Sequence, residues 1–146
     1  MNIAIAFSET ERILLVSARV LAAVPLVVNG SGLIPQKMAL RELKQAGFSD
    51  SNIPRLMGLA RIVEVIGGLA LAMGVFPELG SLALAVFLSA ATVIGHAFWR
   101  APTEQSRMHQ LVSFIQNIGF LGGLVFIAAC PQQPAFISLY RSVARR

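Results

Sequence analysis

Two opposite charges stand three residues apart in ARIVEVIGG, residues 60 to 68, where Arg61 and Glu64 interrupt an otherwise apolar run. On a helix the i, i+3 spacing puts them on one face, where they can neutralise each other. A carboxylate in apolar surroundings can also take up and release a proton, and an imidazole within reach would complete a proton-accepting pair. His96 is the candidate imidazole. Asn29, Gln116 and Asn117 add amides able to orient the polar head of a ligand, and Arg19 adds a further cation. Other chemistries are poorly supplied. With Cys130 as the one cysteine, the chain can neither form an internal disulfide nor cycle a dithiol. His96 and His109 lie thirteen residues apart with no carboxylate at helical spacing from either, so no metal site is expected.

The elements that must position these residues follow from composition. With 55% hydrophobic and 13% charged residues and a mean hydropathy of +0.70, the 146-residue chain lacks the polar residues to coat a soluble domain. The bilayer is the expected solvent, and the chain reads as one membrane domain. Four apolar stretches, Ile13 to Ile34, Leu56 to Phe76, Gly80 to Trp99 and Leu111 to Cys130, each approach the ~20 residues a helix needs to cross the hydrocarbon. Pro35 ends the first, Phe76-Pro77-Glu78 makes a tight hairpin between the second and third, and residues 100 to 110 separate the third from the fourth. The first stretch follows an acidic segment and is too long for a cleaved signal peptide, so it reads as a retained span. Between spans one and two, KMALRELKQAGF reads as a short interfacial helix, with Met38, Leu43 and Ala46 on one side and Gly47 as its C-cap. The fold expected is all-α: a membrane four-helix bundle with that interfacial helix.

A net charge of +5 does not point to nucleic acid, because the twelve basic residues are scattered over loops and ends rather than gathered in a patch. Membrane lipids are the expected partners. The loops after spans one and three carry six basic residues against four on the terminal side, which favours cytoplasmic loops by a narrow margin.

At 1.5 Å per residue, Asn29, Ser31, Arg61, Glu64, His96, Gln116 and Asn117 all fall within roughly 4 to 12 Å of the same loop-side boundary. Only Arg19 lies near the opposite face, where it could snorkel to lipid phosphates. Two readings of this polar layer stay open. In one, Arg61 and Glu64 neutralise each other and the amides tie helices together. In the other, Glu64 and His96 are a catalytic proton-accepting pair in a loop-side pocket, with Asn29, Arg61, Gln116 and Asn117 binding a polar ligand head. Gly67-Gly68, Ala70 with Gly74, and Gly119 with Gly123 have the small-residue spacing that lets helices approach, within one bundle or between copies.

Four segments in order carry a resemblance: SARVLAAVPLVVNGSGLI, VEVIGGLALAMGVF, VIGHAFW and FIQNIGFLGGLVFIA. Together they resemble the signatures of the DoxX family of small bacterial inner-membrane proteins, over about residues 17 to 130. The resemblance implies a four-helix bundle with both termini in the cytoplasm, against the basic count. It also implies a quinone-proximal, redox-linked subunit with a partner redox protein, or else a non-catalytic assembly scaffold. It marks Arg19, Gly32, Gly67, Gly68 and Gly123 as structural positions, and Glu64, His96 and Asn117 in the polar layer. Leu33 and Gln116 stand where family members often have Lys, and Arg61 stands where an apolar residue is usual, so the resemblance implies that one cation has moved to face Glu64.

Overall fold

The computed structural model describes residues 8–34 and 37–130. It contains α1 (Glu9–Gly30), α2 (Lys37–Gln45), α3 (Ile53–Met73), α4 (Pro77–Gly95), a 3-10 turn (Phe98–Arg100) and α5 (Glu104–Ala129). Among the described residues, four segments are long and apolar enough to cross a membrane: α1, α3, α4 with its 3-10 turn, and α5. The all-helical fold expected from hydropathy is present.

The helix ends depart from the hydropathy boundaries. α1 begins at Glu9 rather than Ile13 because Ser8 caps it: the Glu11 N–H donates to Ser8 Oγ at 3.3 Å, and the Ser8 N–H donates to Glu11 Oε2 at 2.7 Å. It stops at Gly30, four residues short of Ile34, where Gly32 turns the chain at φ +81°. α5 starts at Glu104, seven residues before Leu111, through a second box in which Thr103 Oγ1 accepts from the Ser106 N–H at 3.2 Å. Much of the loop expected over 100 to 110 is therefore helix. Hydropathy misses such turns because capping residues are polar. Proline marks the starts of α3 and α4, where a missing N–H costs nothing.

α1 packs most extensively on α3, and α4 on α5, with the α3–α4 hairpin joining the two pairs. Leu26, Leu71, Leu84, Leu88, Leu124 and Ile127 form the core where the four spans meet. Adjacent glycines let α3 serve two neighbours. A Cβ on Gly68 would meet Val27 Cγ2 at 2.9 Å on α1, and one on Gly67 would meet Leu84 Cδ2 at 2.7 Å on α4. Outward positions such as Leu21, Leu59, Ile66, Val86 and Phe126 are exposed apolar residues, as lipid contact requires.

α2 is the short helix expected between the first two spans. It ends where Gly47, at φ +90°, lets Phe48 N–H return to Leu43 O at 3.1 Å.

Candidate functional site: two polar clusters at one end of the bundle

Glu64 is drawn into the protein by the close approach of α1 and α3. At Gly30 a Cβ would lie 2.8 Å from Glu64 Cβ and 2.9 Å from Arg61 O, so only hydrogen fits there. That proximity brings the Asn29 amide to the carboxylate, and Asn29 Nδ2 donates to Glu64 Oε1 at 2.7 Å. Glu64 is 9% exposed. Arg61 is exposed and reaches back toward the end of α1, where its guanidinium lies about one van der Waals contact, 3.6 Å, from a Cβ built on Gly32.

His96 belongs to a second cluster. It caps α4, and its Nδ1 lies 4.0 Å from Glu42 Oε1 on α2. Glu42 and His96 side chains are 11% and 30% exposed. The Glu42 carboxylate also lies over Gly95, where a Cβ would stand 3.4 Å from Oε2. Burial pushes the Glu42 carboxyl up from its ordinary value, because the charged form loses water there. Beside this pair is a small, open, water-sized cleft whose polar walls are Glu42, Gln45, Arg100 and Gln110. Gln110 is 8% exposed, and its Oε1 accepts no hydrogen bond among the described residues.

The expected Glu64–His96 pair is therefore not the pairing that forms. Each group has a nearer partner on a different element: Asn29 for Glu64 and Glu42 for His96. Asn117 spans to α4, donating through Nδ2 to Thr92 Oγ1 at 3.0 Å, while the Thr92 hydroxyl donates to Leu88 O. Gln116, one residue earlier, points out of the bundle and joins neither cluster. Arg19 does not snorkel to lipid: it is 2% exposed and folded over the α3–α4 hairpin, where a Cβ on Gly74 would stand 2.7 Å from its Nη1. Glu78 lies near enough to attract it. Gly119 and Gly123 contact no neighbouring helix, since a Cβ on either meets nothing within 4 Å among the described residues.

Glu42 and Gln110 escaped the sequence reading. A signal was present: Glu42 lies four residues from both Met38 and Ala46, a carboxylate on the apolar side of an amphipathic helix. Gln110 fell in a segment read as loop.

Closely packed apolar spans with Glu64 and the amides toward one end, and buried Arg19 toward the other, define a small polytopic helical membrane protein with an intramembrane polar layer. The sequence pattern of the DoxX family matches residues 14–97, more than half of the chain, and the protein belongs to that family. The matched region holds Glu64, His96, Asn29, Arg61 and Glu42 and stops before α5, so Asn117 and Gly123 lie beyond it. No curated protein and no solved structure gives a significant match.

Proposed function

We propose that this DoxX-family protein is a redox-linked subunit of the bacterial inner membrane that meets a quinone at its polar layer, with Glu64 as the group that holds and passes a proton. The observation that carries the reading is the Asn29–Glu64 hydrogen bond, which fixes a buried carboxylate inside an apolar span. Ionisable groups in that setting mark substrate and proton pathways.

A quinone carries two carbonyl acceptors and needs donors. Arg61 and Asn29 supply N–H groups beside Glu64, so the residues suit its head group. Exposed Ile62 and Ile66 on α3 leave that side open to the lipid from which a quinone arrives. When bound, the quinone supplies the electron sink. Electrons come from a partner redox protein, because protein side chains of this set carry none. Arg61 would orient a carbonyl, Asn29 would hold the carboxylate in place, and Glu64 would hand on a proton at its Oε atoms. In this reading His96 acts with Glu42 rather than with Glu64.

Glu64→Gln keeps an oxygen for Asn29 to donate to, so it separates chemistry from packing. Expected is near-normal abundance with quinone-linked turnover of the membranes reduced by about 10²-fold or more, and with less quinone co-purifying by mass spectrometry. A second reading is favoured by the Asn29–Glu64 and Asn117–Thr92 bonds, which tie α1 to α3 and α4 to α5: a non-catalytic scaffold or assembly factor. That reading prevails if Glu64→Gln and Asn29→Ala lower abundance together and no quinone accompanies the wild type.

A further inference from the structure

α2 is held to the bundle by a titratable pair rather than by a core. Its half-buried side is the stripe Ala39, Glu42, Leu43 and Ala46, at the i, i+3, i+4 and i+7 positions of one helix face, and none of its described residues is fully buried. The centre of that stripe, where such a helix normally carries a large apolar residue, is a carboxylate. Glu42 lies over Gly95 and reaches toward His96 at the end of α4. Among the described residues this is the one polar link from α2 to the spans, since Lys44 pairs locally with Asp50. Its 4.0 Å separation is too long for a hydrogen bond and within reach of an ion pair.

The number of protons on the pair decides how well α2 is held. With one proton the pair is net neutral and costs least to bury. With two, the charge falls on the His96 side chain, which at 30% exposed keeps contact with solvent. With none, a carboxylate only 11% exposed faces a neutral ring, and an unpaired charge is costly to bury. Its other charged neighbours do not replace the proton. Arg100 on the 3-10 turn is exposed and has no carboxylate within 4 Å among the described residues, and His109 on α5 lies near enough to repel His96 when both are charged. The segment also has hinges on both sides: Gly32 and Gly47 stand at φ +81° and +90°, and a Cβ on Gly47 would meet nothing within 4 Å.

We propose that α2 is a proton-controlled latch at the loop-side end of the bundle, docked while Glu42 and His96 share a proton and released when the last one leaves. Release therefore accompanies rising pH. The latch stands apart from the quinone reading, which runs through Glu64.

The test places nitroxide spin labels at Arg41→Cys on α2 and Arg107→Cys on α5, both exposed, in the full chain in nanodiscs with Cys130→Ala. Distances are read by double electron–electron resonance from pH 5.5 to 8.5. The wild type should show one distance at pH 5.5 and a second, longer one that grows with pH, the released-to-docked ratio rising by up to about tenfold per pH unit, the limit for one proton. Glu42→Gln, neutral throughout, should stay docked to pH 8.5. His96→Gln should release at lower pH than the wild type, because Glu42 then holds its proton alone. His109→Gln should keep the transition, and a control pair at Leu79→Cys and Phe126→Cys, across α4 and α5, should not move. An unchanged wild-type distance would overturn the proposal, as would an equal shift in folded Glu42→Gln or loss of the transition in His109→Gln. A control pair that moves with α2 would also overturn it, by making the transition an opening of the whole bundle.

Discussion

Glu64 and Glu42 show how two carboxylates at one end of a bundle come to differ. Glu64 is held by an amide, and Glu42 faces His96 on α4, Arg100 on the 3-10 turn, Gln110 on α5 and Gln45 on its own helix. Because burial raises the Glu42 pKa, the folded state holds that proton more tightly than the unfolded chain does. Its contribution to stability is therefore full below the ordinary carboxylate value of 4.5 and is lost as pH rises through the folded value. Lipid-stripped wild type should melt at lower temperature at neutral pH than just below that range, and Glu42→Gln should flatten the dependence and raise the neutral melting temperature. A pH series by differential scanning fluorimetry reads both, and a Gln variant with the wild-type slope would remove Glu42 as the cause. At Gly30 the expectation is steric. Gly30→Ala forces a methyl onto Glu64 Cβ and the Arg61 carbonyl, at about 1 to 3 kcal/mol, visible as a lower melting temperature and reduced accumulation. Glu64 was legible in the sequence because a charge in an apolar run is conspicuous. Glu42 was not, because an amphipathic helix full of charges hides one that faces inward.

At the scale of elements, hydropathy located every span and misplaced most ends. Ser8, Thr103 and Ser106 are polar residues whose hydrogen bonds lengthen helices beyond their apolar stretches. The α3–α4 hairpin was legible from Pro77, yet its geometry was not. Gly74 closes α3 at φ +68°, and Phe76, just before Pro77, sits at φ +45° in the left-handed region. A side chain there costs about 1 to 2 kcal/mol, and Phe76 is 74% exposed, so it gains little core contact in return. Phe76→Asn, a residue that tolerates this conformation, should raise the melting temperature in detergent by a few degrees. An unchanged or lower value would mean that the ring's contact with lipid or detergent outweighs the backbone relief.

For the whole molecule, the family assignment and the four spans make a multi-pass membrane protein, and orientation is the part that sequence statistics nearly cancel. Arg19 and Arg61 show why counting charges is a blunt tool here: both lie within spans and take no part in the loops that the count compares. With the termini in the cytoplasm, Ser49→Cys in a Cys130→Ala background should react with a membrane-impermeant maleimide in intact cells, and Glu9→Cys should react only after permeabilisation. The opposite pattern would favour the narrow basic count.

The Asn29–Glu64 bond joins residues 35 apart along the chain. At roughly 5 to 20 residues per second of synthesis, Asn29 is made about 2 to 7 s before its partner. Until Glu64 is made, the Asn29 amide lacks the carboxylate that holds it in the folded bundle. The bond is thus also a clock: α1 can take its final place against α3 only after α3 has been made.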